Sequence, residues 1–118
     1  MRPHQSLSVF RRSRAALSKV YEVCDQLPIE ERYVLSAQLR RAALSVKTNI
    51  IEGSKRRTDA DFAHFLNIAE ASAAEARGLL QDIVMLGFDR TGLADVLQRE
   101  YAEIELMLRA LQRTVLGQ

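Results

Sequence analysis

The sequence predicts a single all-α domain over residues 1–118, folded as an antiparallel up-down-up-down four-helix bundle. Apolar residues recur at three-, four- and seven-residue spacings along four segments of similar length, which is the pattern of amphipathic helices. Short connectors between such helices favour the up-down topology. Only five glycines and two prolines are present, which argues against a fold built from many hairpins. At 118 residues and 47% apolar, the chain can bury one core without disulfides or a metal.

The first two helices are predicted over residues 6–26 and 28–52. A proline disfavours helix in the residue before it, so Pro28 ends the first helix and suits the first turn of the second. Gly53 is expected to close the second helix in the left-handed conformation. The apolar stripe of the first helix is Phe10, Leu17, Val20, Tyr21 and Cys24, and that of the second is Leu35, Leu39, Ala42, Val46 and Ile50.

The third and fourth helices are predicted over residues 59–86 and 93–115. Thr58 and Asp61 have the spacing of a capping box, Gly87 ends the third helix, and Thr91 is a cap for the fourth. Both helices carry a regular apolar face. Their main members are Phe62, Phe65, Leu66, Ala69, Ala73, Ala76, Leu80 and Ile83 on the third, and Leu93, Leu97, Ile104, Met107 or Leu108, Leu111 and Val115 on the fourth.

Further apolar residues lie off these stripes, so the helices carry more apolar residues than a single bundle core requires. They include Val34, Leu44, Ile51, Ile68, Leu79, Val84, Val96 and Leu106. A second apolar strip indicates self-association through helix faces. The alternative is that isolated apolar residues on a surface are ordinary.

The net charge of +2 conceals a division of the chain. Residues 1–57 carry 12 Lys and Arg against 5 Asp and Glu, whereas residues 58–118 carry 5 against 10. The most basic stretch is residues 40–57, here called the basic segment. It carries six cationic residues and a single acidic one, Glu52. Its cations are Arg40, Arg41, Lys47, Lys55, Arg56 and Arg57. They either form a polyanion-binding face or pair with the acidic third and fourth helices.

No catalytic, cofactor-binding or metal-binding constellation is found, so the protein is expected not to be an enzyme. Asp61 and His64 stand three apart, but metal bundles need a Glu-x-x-His on each of two helices. The single cysteine, Cys24, excludes an internal disulfide and is expected in the core. The sequence around Gly53 lacks the leading glycine of a phosphate-binding loop. With no signal peptide and no membrane-spanning run, the expected location is the cytoplasm.

Three polar residues lie beside the apolar stripes of the second and third helices: Asn49, Ser72 and Glu75. A polar layer between helices fixes their register at some cost in stability. Ligand binding is the alternative role for these residues.

Residues 40–53 read Arg-Arg-Ala-Ala-Leu-Ser-Val-Lys-Thr-Asn-Ile-Ile-Glu-Gly. This run resembles the signature Arg-Arg-Ala-Ala-x-Ser-Ile-Pro-x-Asn-Ile-Ala-Glu-Gly of a bacterial four-helix bundle family encoded in intervening sequences of 23S rRNA genes. The accessory variability determinant of diversity-generating retroelements is related to that family. The resemblance continues at Arg57, Phe62, residues 65–69, Ser72, Glu75 and residues 86–88. Lys47 replaces the usual proline of the signature, and Ile51 replaces an alanine.

The resemblance implies a homopentameric ring, and in the retroelement relatives a basic barrel that binds nucleic acid and a reverse transcriptase. Arg40, Arg41 and Arg57 match family positions, whereas Lys47, Lys55 and Arg56 are additions in this chain. The leading expectation is therefore an oligomeric protein that binds RNA or DNA phosphates through the basic segment. The alternative is a protein–protein interaction scaffold with no role in binding nucleic acid.

Overall fold

A computed structural model describes residues 4–118 of the protein, and residues 1–3 of the predicted domain lie outside it. Its regular elements are α1 (His4–Gln26), a 3-10 turn (Ile29–Glu31), α2 (Leu35–Ser54), α3 (Asp59–Met85) and α4 (Leu93–Val115). Each helix packs against the next, and α1 closes the bundle against α4. The bundle measures 44 × 22 × 17 Å. The predicted all-α fold is confirmed, and residues 4–118 contain no strand.

The core stripe of α1 lies one position away from the predicted one. Val9, Ala16, Val20 and Val23 are buried, whereas Tyr21, which was predicted in the stripe, has 49% of its surface exposed. The predicted residues Phe10, Leu17 and Cys24 are partly buried beside this inner stripe. The smaller side chains occupy the inside of the bundle, and the larger ones cover its margin.

The predicted start of α2 at residue 28 is wrong, because α2 begins at Leu35. Pro28 instead precedes a single 3-10 turn, in which the Glu31 N–H donates to the Pro28 carbonyl at 2.9 Å. Val34, with φ −116° and ψ −91°, then interrupts the helical backbone. No residue of the 3-10 turn is buried, so no apolar packing offsets the cost of nucleating a longer helix there.

The prediction that Gly53 closes α2 in the left-handed conformation is also wrong. Gly53 is buried inside the helix, which continues to Ser54. A Cβ atom at this position would lie 2.8 Å from Phe65 Cβ and 2.9 Å from Phe62 Cδ1. The glycine is therefore needed because α2 and α3 approach each other closely at this point.

The connectors before α3 and α4 are fixed by side-chain caps. Thr58 Oγ1 accepts a hydrogen bond from the Asp61 N–H at 3.1 Å, which confirms the predicted cap of α3. Thr91 Oγ1 accepts only a 3.3 Å bond from the Leu93 N–H. The main cap of α4 is Asp89, whose two carboxylate oxygens accept from the N–H groups of Ala94 and Asp95 at 2.9 and 3.0 Å. Its negative charge also suits the positive end of the helix dipole.

One core residue carries a polar atom without a partner. Tyr101 is fully buried, and its hydroxyl makes no hydrogen bond to any described residue. Burial also raises the pKa of this phenol well above its ordinary value. We expect Tyr101→Phe to raise the free energy of unfolding by about 1 kcal/mol, because it removes a polar group that folding desolvates without compensation.

Urea denaturation of the two proteins measures this change. The control is Tyr33→Phe, because the Tyr33 side chain is 83% exposed and its hydroxyl stays in water in both states. A loss of stability in Tyr101→Phe would show that the Tyr101 hydroxyl is satisfied in the folded protein.

Candidate functional site

The basic segment occupies α2 and the connector that follows it. Arg40 and Lys47 are half-buried on α2, and Arg41 is exposed on the same helix. Lys55 is the residue that caps the end of α2, and Arg56 and Arg57 follow it in the connector to α3. All three connector residues are exposed, so the predicted cations lie at or near the molecular surface.

Only one cation of the basic segment forms an ion pair with a described residue. Arg56 Nη2 lies 2.9 Å from Glu52 Oε2 one turn earlier, and the Arg56 guanidinium lies 4.7 Å from the centre of the Phe65 ring. Arg40 lies over the ring of Tyr21 at 5.9 Å, within the range of a cation–π contact. Within residues 4–118, the other five cations have no carboxylate partner.

The acids of α3 and α4 that bridge between helices pair with arginines outside the basic segment. Arg12 of α1 donates to both carboxylate oxygens of Glu100, at 2.5 and 3.0 Å. Arg77 pairs with the buried Glu105 through two hydrogen bonds. These contacts join α1 to α4 and α3 to α4. The ion pairs between helices of the described chain therefore leave the basic segment largely unneutralised.

On α2 the cations share a helix face with apolar side chains. Arg40, Leu44, Lys47 and Ile51 are spaced by four, three and four residues, which places them on one side of a helix. Leu44 is 44% exposed. This face is therefore neither purely polar nor part of the bundle core.

An apolar groove lies where the start of α1 meets the end of α2. It has a volume of about 260 Å³ and is lined chiefly by Leu7, Phe10, Ile50 and Ile51. Leu7 is 51% exposed. The groove thus lies near the connector that carries the last three cations of the basic segment.

The predicted polar layer is present in part. Ser45 Oγ of α2 and Ser72 Oγ of α3 lie 2.8 Å apart, and Asn49 Nδ2 donates to both the Oγ and the carbonyl of Ser45. Ser45 was not among the predicted residues, although its position four residues before Asn49 indicated a shared helix face. Glu75 is exposed and makes no hydrogen bond within the described chain. The register-fixing role of Asn49 and Ser72 stays a prediction.

Histidine, cysteine and acidic side chains are the groups that bind metal ions in proteins. Within residues 4–118, no group of three or more His, Cys, Asp or Glu side chains could hold a metal ion. His64 makes an edge-on contact with Phe65 at 5.6 Å between ring centres. In the same part of the chain, no helix is long and apolar enough to cross a bilayer.

Comparison with known proteins assigns the chain to a family. The family model of the 23S rRNA-intervening sequence protein matches residues 5–110. The fold is similar to a crystal structure from Bacteroides thetaiotaomicron, that of a protein of unknown function in the S23 ribosomal protein family. The TM-score is 0.83 and the identity 23%, over 92% of this chain and 98% of that one. No curated protein matches. The chain therefore belongs to the 23S rRNA-intervening sequence protein family.

Proposed function

We propose that this protein is a non-enzymatic, self-associating helical bundle of the cytoplasm that binds RNA or DNA phosphates through the basic segment. The observation that carries the proposal is that five of its six cations have no carboxylate partner within residues 4–118. Unpaired cations clustered on one helix and its connector create a positive field that attracts polyanions. The resemblance of residues 40–53 to the signature of the family, whose retroelement relatives bind nucleic acid, supports the same function.

Self-association is proposed because apolar side chains lie exposed among these cations. Leu7 and Leu44 are 51% and 44% exposed, and the apolar groove beside Leu7 adds to this surface. The resemblance favours five subunits in a closed ring. Native mass spectrometry and light scattering test the subunit number, and a monomer throughout the micromolar range would contradict self-association.

Nucleic-acid binding through this segment is tested by its salt dependence. Each neutralised phosphate contributes about −0.9 to the slope of log K against log salt for duplex DNA and about −0.7 for single strands. We expect the triple variant Lys55→Glu, Arg56→Glu, Arg57→Glu to flatten the slope by about 2 to 3, because three cations at the surface are lost. Fluorescence anisotropy with labelled RNA and duplex DNA measures both slopes.

A matched control changes the same amount of charge elsewhere. Arg11, Arg90 and Arg113 are exposed, lie outside the basic segment and form no ion pair within residues 4–118. Their triple substitution by Glu lowers the net charge equally. Equal flattening in both triple variants would show that net charge, and not the basic segment, determines binding.

A scaffold that binds only protein is the second candidate, and the apolar groove formed by Leu7, Phe10 and Ile51 favours it. The same titration separates the two functions. A stable oligomer that binds neither RNA nor duplex DNA at about 50 mM salt, where phosphate contacts are strong, would favour the scaffold.

A further inference from the structure

A polar pocket lies between the end of α1 and the start of α2. Its volume is about 310 Å³. The polar and charged side chains that line it are Cys24, Asp25, Arg32, Ser36 and Arg40. Four of these residues lie outside the basic segment, and the pocket is at the opposite end of α2 from the cationic connector.

Two arginines give this pocket an excess of positive charge. Neither Arg32 nor Arg40 forms an ion pair with Asp25 or with any other carboxylate in the described chain. The contact of Arg40 with the Tyr21 ring, at 5.9 Å, restrains its guanidinium beside the pocket. Asp25 is exposed, so solvent and salt screen its repulsion of an anion.

Ser36 supplies an unpartnered hydroxyl at the same place. The residue is only 4% exposed and lines the pocket, yet its Oγ makes no hydrogen bond within the described chain. Its backbone carbonyl accepts the thiol of Cys24 at 3.8 Å. Among the described residues, the Tyr101 hydroxyl alone is both fully buried and unpartnered, so the Ser36 Oγ is open at the pocket wall, where it can hydrogen-bond to a bound molecule.

The first turn of α2 adds backbone donors. Val34 provides no side-chain cap, and the N–H groups of Leu35, Ser36 and Ala37 have no backbone acceptor. They form the positive end of a 20-residue helix, where N–H groups and the helix dipole favour an anion. Ser36 belongs to this turn, so its hydroxyl and the free N–H groups lie close together.

We infer that the pocket formed by Arg32, Ser36 and Arg40 binds a phosphate group. Guanidinium groups match phosphate oxygens with paired donors, and a hydroxyl and helix N–H groups can satisfy the remaining oxygens. The group is either free inorganic phosphate or the terminal phosphate of a nucleic-acid strand, which present the same anionic oxygens. This site is independent of the proposed contacts along the basic segment, with which it shares only Arg40.

Inorganic phosphate is the first probe, measured by calorimetry at constant ionic strength with chloride as the reference. A hydrogen bond to a charged group is worth about 1.5–3 kcal/mol, so we expect Arg32→Gln to weaken binding by about tenfold or more. Ser36→Ala is expected to weaken it by a smaller factor. The matched control is Arg41→Gln, which removes one positive charge from an exposed site on α2 outside the pocket.

Cys24 gives a second readout in the unaltered protein, because it is the only cysteine and lines the pocket. Phosphate is expected to slow alkylation of Cys24 by iodoacetamide in the wild type and in Arg41→Gln, and to have no effect in Arg32→Gln. An absence of binding and of protection in the wild type, or equal losses in Arg32→Gln and Arg41→Gln, would overturn the inference.

Oligonucleotides of one sequence with a 5′-phosphate or a 5′-hydroxyl distinguish the two sources. A preference for the phosphorylated strand that is lost in Arg32→Gln assigns the pocket to strand ends. Equal affinity for both strands, with Arg32-dependent binding of inorganic phosphate, assigns it to the free anion. If neither strand binds but inorganic phosphate does, the proposed nucleic-acid function fails and the pocket stands.

Discussion

Gly53→Ala is expected to lower the free energy of unfolding by about 2 kcal/mol, the range found for overpacked cores. The new Cβ would lie 2.8 Å from Phe65 Cβ, 2.9 Å from Phe62 Cδ1 and 3.3 Å from the Phe62 carbonyl oxygen. A Cβ and a carbonyl oxygen are fixed to the backbone and cannot rotate away. The two helices must therefore separate, and the fully buried Phe62 loses packing contacts.

Gly78→Ala is the matched control, because it makes the same substitution inside α3. A Cβ at Gly78 would have no heavy atom within 4 Å. Alanine favours a helix over glycine by about 0.5–1 kcal/mol, so this variant should be more stable than the wild type. Chemical denaturation measures both changes. Equal gains in the two variants would show that α2 and α3 do not approach closely at Gly53.

Arg77→Ala is expected to destabilise the protein by about 2 kcal/mol. Breaking a buried ion pair costs about 3–5 kcal/mol because it leaves one charge unpaired, and partial exposure of Arg77 reduces that figure. The side chain of Glu105 is only 11% exposed, against 34% for Arg77. The hydrogen bonds with Glu105 also raise the pKa of Arg77, because they stabilise the charged guanidinium.

Two further variants test this explanation. Arg99→Ala removes an exposed ion pair with Asp95 on α4, and pairs of that kind contribute about 0–1 kcal/mol. The double variant Arg77→Met, Glu105→Met should recover much of the lost stability, because apolar residues of similar size often replace a buried pair without loss. If Arg77→Ala matches Arg99→Ala in thermal and chemical denaturation, the Arg77–Glu105 pair contributes no more than a surface pair.

The periodicity and the caps predicted most of the fold, and the failures have a common physical cause. Thr58 accepts a hydrogen bond from the N–H of Asp61, only three residues along the chain, so the sequence alone suffices to identify its capping role. The start of α2 depends instead on whether the apolar side chains of residues 28–34 pack against another helix. They do not, since Ile29 and Tyr33 are 71% and 83% exposed. Gly53 is similar, since glycine permits both a left-handed turn and a close approach, and only the position of α3 decides between them.

For the candidate site too, the sequence predicted what depends on local position and not what depends on the packing of other helices. That the cations of the basic segment are surface residues follows from their place on α2 and its connector. That five of them have no carboxylate partner depends on where α3 and α4 hold their acids. Arg12, Arg77 and Arg109 pair with four of these acids. The pocket at Ser36 was not predicted, because it requires the break in the helical backbone at Val34, which leaves the start of α2 without a side-chain cap.

On the proposed function, the helical spacing of the basic segment sets the length of nucleic acid that one copy of the chain can contact. Arg40 and Lys55 are 15 residues apart, which corresponds to about 22 Å along a helix. Along the axis of duplex DNA, the phosphates of one strand follow one another at about 3.4 Å. The distance from Arg40 to Lys55 therefore matches about six or seven phosphates of one strand. On the proposed function, affinity should rise with oligonucleotide length up to that footprint and then level off.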